Sequence, residues 1–316
     1  MVTKWILKAL VQKGISYLPR AGKINYFFQK HVTRGVLLTD DHLGQKLQHA
    51  REHHQAFLKH GSPGPDATIL ELGTGWYPVV PLYFYLTASG RVTSVDIQRW
   101  MSRETQQLTF LKLLEWRERG LLDEVMPFID ESRWARVADL ASDPFTFSSD
   151  QVSEQIGLTP LVQDARNLLM DDGSVDFICS NNTLEHIPEE PLGKIFLEFS
   201  RILKPGGSMS HFIDMSDHFA HFDTRISIYN FLKFSRKQWN LLDNRIQPQN
   251  RLRFRDYLRV YSETGHRVIE QVIREGMPEA LNSIRVHAEF SGYTPKDLAI
   301  SHATLISQKQ FPDHLV

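Results

Sequence analysis

The chain has a single cysteine, Cys179. An internal disulfide is therefore excluded, and so is a zinc site built from cysteines. Charge of one sign is also missing: 36 basic residues face 37 acidic ones, for a formal net charge of -1. No long-range field attracts nucleic acid, and a duplex binder would need a local basic patch. No run of about 18 apolar residues occurs, so no membrane span is expected. Internal repeats and low-complexity tracts are absent as well. The N-terminal stretch "MVTKWILKALVQKGISYLPR" lacks the longer apolar core and small-residue cleavage site of a signal peptide. It reads as an amphipathic helix that packs on its own protein, with a membrane-surface helix as the alternative. The cytoplasm is the default compartment, and the oligomeric state is left open, a homodimer included.

What is present fits a globular protein. Hydrophobic residues make up 41% of the 316 positions and charged residues 23%, enough for one large domain or two small ones. Residues 1–66 read as a helical cap, broken near Gly14, Pro19 and Gly22 and closed by the breaker cluster "GSPGP" at 61–65. Residues 67–316 form the second unit. Short apolar runs at 67–72, 91–97, 161–164, 176–181 and 208–214 read as buried strands. Helical patterns at 79–88, 102–119 and 189–203 lie between them. This alternation predicts a parallel α/β sheet. Two stretches, about 101–159 and 215–261, exceed a simple crossover and read as insertions. Loops that follow strands lie over the carboxyl ends, where such sheets bind ligands.

Residues 69–81 read "ILELGTGWYPVVP". A strand followed by Gly73-x-Gly75 and a helix is a dinucleotide-type turn, and weak evidence alone. A pyrophosphate held at such a turn tolerates a nearby anion poorly, yet Glu71 stands two residues before the first glycine. A carboxylate there suits a cationic ligand without phosphate. S-adenosyl-L-methionine (SAM) fits, because it carries a sulfonium and an ammonium. Asp96, closing the second strand, can take both ribose hydroxyls. Asp164 can accept from the adenine amino group, and Ala165 leaves room for the ring. "DFICSNNTLEHIP" and "FSRILKPGG" follow.

In this order and spacing, these stretches resemble the class I SAM-dependent methyltransferases over about residues 67–214. Residues 71–75 resemble the family's first motif, and Asp96 the acidic end of its second strand. Asp164-Ala165 resembles the adenine-side motif. Residues 181–188 and 201–207 resemble the fourth- and fifth-strand motifs, and 250–265 the last crossover helix. The resemblance implies a Rossmann-like seven-stranded sheet ending in an antiparallel hairpin, at 267–273 and 301–308. It implies SAM as cofactor and S-adenosylhomocysteine as product. Around the first strand the cofactor residues would be Glu71, Gly73, Thr74, Gly75 and Trp76. Beyond it they would be Asp96, Ile97, Asp164, Ala165, Asn181 and Asn182. The family often has a third glycine where this chain has Tyr77. Trp76 or Tyr77 would then face the methionine arm or sulfonium by cation–π attraction, or pack on the N-terminal cap.

Methyl transfer needs a nucleophile placed in line and, for an oxygen nucleophile, a base. His186, after the fourth strand, is the first candidate; the alternative is a residue that orders its loop. His218 and His221, in "HFIDMSDHFAHFD", are further candidates. The histidines of that segment suit magnesium poorly, and no metal ligands are assigned. "HAREH" at 49–53 matches a zinc-protease pattern, but it lies in the cap and reads as an ordinary solvated or cap-facing helix. Arg251, Arg253, Arg255 and Arg259 read as a solvated helix start, or as a clamp for an anionic substrate. Phe212, Phe219, Phe222, Tyr229, Phe231, Phe234 and Trp239 suit a pocket wall or a core. The expected activity is O-methylation of a small molecule, a specialised metabolite or sugar. N-methylation of a small amine and SAM binding without catalysis are the alternatives. A nicotinamide-dependent oxidoreductase is disfavoured by Glu71 and Asp164-Ala165.

Overall fold

A computed structural model describes residues 4–19, 21–28, 36–143 and 145–310. Three helices come first: α1 (Lys4–Ile15), α2 (Ala21–Phe28) and α3 (Asp40–His60). Thr39 caps α3 by accepting from the His42 amide at 3.2 Å. Asp40 and Asp41 in its first turn suit the positive end of the helix dipole.

The strands are β1 (Thr68–Leu72), β2 (Arg91–Asp96), β3 (Leu158–Val162), β4 (Val175–Asn181), β5 (Leu203–Asp214), β6 (His266–Arg274) and β7 (His302–Lys309). Among the described residues they form one sheet in the order β3-β2-β1-β4-β5-β7-β6. The first five are parallel, and β7 runs antiparallel to both β5 and β6. β1 and β4 sit at the centre and are buried almost throughout, so they read as continuous apolar runs. β3 starts before the predicted position because Pro160 lies inside it. A proline is tolerated there because β3 is an edge strand pairing only with β2.

Each face of the sheet carries its own core. On one, Ile69, Val92, Phe177 and Cys179 pack with α3 and with α4 (Val79–Leu86). Phe57 of α3 stacks on Phe177 with ring centroids 4.7 Å apart. On the other, Leu70, Val95, Ile178 and Met209 pack with α9 (Glu189–Ile202) and α11 (Phe254–Glu263). The long stretch between β2 and β3 folds into α5 (Arg103–Glu118), α6 (Leu122–Val125), α7 (Glu131–Ser142) and α8 (Ser149–Gln155). Phe110, Leu113, Val137 and Leu140 from these helices extend the first core.

The stretch after β5 builds a third core with α1 and the segment before β7. That stretch includes α10 (Arg236–Leu242), and a short helix α12 (Pro295–Ala299) ends the segment. Trp5 and Ala9 meet Phe219, Phe231, Trp239 and Phe290 there, with the Trp5 and Phe219 rings 5.6 Å apart. The buried face of α1 thus packs within the molecule. Most of the aromatics after β5 are core, although Phe222 stays half-exposed. No helix among the described residues is long and apolar enough to cross a membrane.

Candidate active site

The carboxyl ends of β1, β2, β4 and β5 meet on one side of the sheet. After β1 the backbone turns through Gly73 and Gly75, both at positive φ, +80° and +72°. A side chain is strained at either position. A Cβ on Gly73 would lie 2.3 Å from Thr183 Oγ1, whereas one on Gly75 would meet nothing within 4 Å. Gly73 is thus needed for close packing, and Gly75 leaves open space above the turn. The groove there is lined by Thr74, Gly75, Asp96, Trp100 and Leu161.

Two carboxylates stand beside this groove. Glu71 is buried and accepts from the Thr74 hydroxyl. Asp96 accepts from the Gly75 amide at 3.3 Å. Burial pushes each carboxyl up to about 7. Half-buried Lys46 of α3 lies within electrostatic reach of both, and neither makes an ion pair within 4 Å among the described residues. Two dehydrated carboxylates around an open turn fit a cationic ligand and not a pyrophosphate.

The rest of the expected cofactor set is placed unevenly. Tyr77 is buried and donates to the Val36 carbonyl at 2.8 Å, so it packs on the N-terminal segment. Trp76 instead joins Tyr26 and Trp100 in an aromatic cluster, with centroids 5.6 and 5.1 Å away. Trp100 carries that cluster to the groove wall. Ile97 is exposed just past Asp96, and Ala165 is buried. Asp164 is held by Arg166, whose Nε donates to both carboxylate oxygens at 2.9 and 3.0 Å. The guanidinium holds that carboxyl down at about 2. Asn181 is buried at the tip of β4, and its Oδ1 meets His49 Nδ1 at 2.9 Å. Asn182 follows at φ +51° and is exposed.

Beyond this tip lies a cluster of imidazoles and carboxylates. His186 closes a short turn, Leu184–His186, and its Nδ1 meets the Pro248 carbonyl at 2.7 Å. Burial, with His218 beside it, lowers its basicity to about 4. His218 and His221 each place Nε2 near Asp214 Oδ2, at 3.5 and 3.4 Å. His302 approaches the other Asp214 oxygen at 3.3 Å. Burial alone would raise Asp214, but the facing imidazoles draw it well below the usual carboxylate range. Asp214 in turn raises His221, which remains more than half exposed.

The sequence reading did not single out Lys46, Glu185, Trp100 or His302. The "HAREH" segment of α3 is not a simple solvated helix face. Instead, His49 stacks on Phe212 at 3.7 Å, and His53 is buried with Nδ1 2.8 Å from Ser210 Oγ. Their four-residue spacing was the available signal, since it sets both on one helix face. The arginines read as a solvated helix start fit that reading only in part, since the side chains of Arg253 and Arg251 are buried, and their partners leave them no common clamp. Arg253 is fully buried and donates to the carbonyls of Met215, Leu298 and Ile300 at 2.7, 3.1 and 2.6 Å. Arg251 donates to the Phe231 and Phe234 carbonyls. Arg255 lies on Tyr293, and Arg259 pairs with Glu189.

Residues 137–210 match the family model described as a methyltransferase domain. No curated protein matches the sequence. Among solved structures, geranyl diphosphate C-methyltransferase from Streptomyces coelicolor A3(2) is 14% identical, with a TM-score of 0.45 over 88% of this chain and 89% of that one. The 1,6-didemethyltoxoflavin-N1-methyltransferase from Burkholderia thailandensis is 11% identical, with a TM-score of 0.47 over 92% and 88%. Likenesses of this size say nothing about substrate or reaction. The domain match covers the strands that carry the later motifs, and the glycine turn precedes it. The sheet brings both to the carboxyl ends of its parallel strands, and it has the seven strands and the final antiparallel hairpin that the resemblance implied. Residues 137–210 are thus similar to a methyltransferase domain, and the sheet around them is the Rossmann-like seven-stranded one.

Proposed function

We propose that the chain transfers the SAM methyl group to an oxygen of a small-molecule acceptor, with His221 as the base. The cofactor would lie along the groove over Gly75, its ammonium toward Glu71 and its ribose toward Asp96. The sulfonium already makes the methyl electrophilic. What remains for the protein is to align the acceptor and accept its proton. The observation that carries the oxygen reading is the imidazole of His221 held beside Asp214. A neutral amine attacks before it loses a proton, whereas a hydroxyl benefits from a base during attack. His186 is the weaker candidate, because its Nδ1 is engaged by Pro248 and burial depresses its basicity.

The test has two stages. Thermal shift with SAM, S-adenosylhomocysteine and NAD checks the cofactor; no response to either sulfur ligand would sink this assignment. A screen of phenols, carboxylic acids, sugars and amines with methyl-labelled SAM then identifies the acceptor. His221→Gln should lower turnover by about 10²- to 10⁴-fold with SAM affinity unchanged. Full turnover in that variant, or label found only on amines, overturns the oxygen reading.

A further inference from the structure

The mechanism above leaves a buried acid unused. Glu185 is 1% exposed. Neither of its carboxylate oxygens makes a well-aligned hydrogen bond among the described residues, although the backbone amides of Glu185 and Asp214 lie close enough to favour its charged form. An unpaired carboxylate in such a place is costly, so it is either protonated or bound to something absent from the protein itself. Its neighbours point to the second case. One ligand atom each from Glu185, His186 and His218 lies within 4.8 Å of the others. His218 Nε2 is also buried without a hydrogen bond, its nearest acidic oxygen being Asp214 Oδ2 at 3.5 Å.

We propose that Glu185, His186 and His218 form a binding site for one divalent transition-metal ion of the zinc, cobalt or manganese kind. Two imidazoles and one carboxylate are a ligand set such ions accept, with coordination positions left over. Magnesium prefers oxygen and fits poorly. The supporting shell is in place. His186 turns Nδ1 to the Pro248 carbonyl, which leaves Nε2 as its free nitrogen; metal-bound histidines are oriented in this way. The turn carrying Glu185 and His186 is clamped by Asn250. Its side-chain amide donates to the Leu184 and Ile187 carbonyls at 2.9 and 2.8 Å, and its backbone amide to the Glu185 carbonyl at 2.9 Å. Ligands about 2.1 Å from an ion sit roughly 3–3.5 Å apart, so the three side chains need to close by about an ångström. The site lies at the carboxyl ends of β4 and β5, beside His221. Its remaining positions would take an oxygen of the acceptor; that last clause rests on the proposed function, while metal binding does not.

The experiment uses the full-length chain after chelator treatment and dialysis. Co²⁺ is titrated and followed by its visible absorption, and Zn²⁺ by calorimetry, with Mg²⁺ as the control. One equivalent of Co²⁺ or Zn²⁺ should bind with micromolar or better affinity, and Mg²⁺ should not compete. Glu185→Gln and His218→Ala should each weaken Zn²⁺ binding at least about 10-fold. SAM-induced thermal shifts, recorded in parallel, report whether each variant is folded and test the cofactor assignment separately. His186→Ala serves as the third probe should either variant fail to fold. Absence of stoichiometric Co²⁺ and Zn²⁺ binding overturns the site and leaves Glu185 a neutral buried acid. Binding that survives all folded variants overturns it too, because the ion then sits on other histidines.

Discussion

Glu71→Gln separates the cost of a buried charge from its use. The Glu71 carboxyl is raised from its ordinary 4.5 to about 7, mainly by burial. Ionising it in the fold therefore costs about 3 kcal/mol. The sign follows from the shift. Between pH 4.5 and 7 the folded protein holds a proton that the unfolded chain has lost, so stability falls as pH rises through that window. The cost is fully present above pH 7. Glutamine removes the charge but weakens the contact with Thr74, worth about 1 kcal/mol. The variant without cofactor should be about 2 kcal/mol more stable than the parent at pH 8, a rise of a few degrees in Tm. At pH 4.5 the charge cost is almost gone while the weakened Thr74 contact remains, so the variant should be slightly less stable than the parent, by up to about 1 kcal/mol. SAM affinity should move the other way, falling about 10- to 100-fold as a charge-assisted hydrogen bond to the ammonium is lost. Urea unfolding at both pH values and SAM titration at pH 8 read these effects. A variant no more stable at pH 8, or one that binds SAM as tightly as the parent, would refute the reasoning.

The two glycines of the turn should fail differently. Gly73→Ala drives a Cβ into Thr183 and should cost at least about 2 kcal/mol of folding stability in urea. Gly75→Ala has open space around it, so it should cost only the backbone strain of about 1–2 kcal/mol but weaken SAM binding about 10-fold or more. Equal losses of binding and stability at both sites would contradict the assignment. Arg253→Met removes a buried guanidinium from three carbonyls and should destabilise by about 3 kcal/mol or more. A urea midpoint close to that of the parent would show that those carbonyls find other donors.

The parallel sheet was legible because its signals are local. Buried central strands read as apolar runs, and breakers such as residues 61–65 punctuate the chain. β3 was placed late because Pro160 interrupts the run on an edge strand. The cofactor side was also local: Glu71, Gly73 and Gly75 lie in one turn, and Asp96 ends the next strand. Trp76 and Tyr77 are adjacent in sequence yet go separate ways, since the turn before α4 points consecutive side chains in different directions. Tyr77 found Val36, and Trp76 found Trp100.

By itself, the sequence determined the order of strands and helices, the cationic character of the cofactor and the turn that meets it. Periodicity and a carboxylate beside a glycine turn act over a few residues, and no distant partner is needed to read them. The acceptor side was decided by tertiary structure. His221 became the better base only because Asp214 lies beside it, and His186 the poorer one because the fold buried it against Pro248. Lys46, His49 and His302 come from the first long helix and the last strand, and no spacing rule relates them to β4 or β5. Glu185 stood in a quoted stretch as an ordinary acid. Its burial without a well-aligned hydrogen bond, next to His186 and His218, exists only after β4 and β5 are paired, and that burial is what makes it chemically consequential.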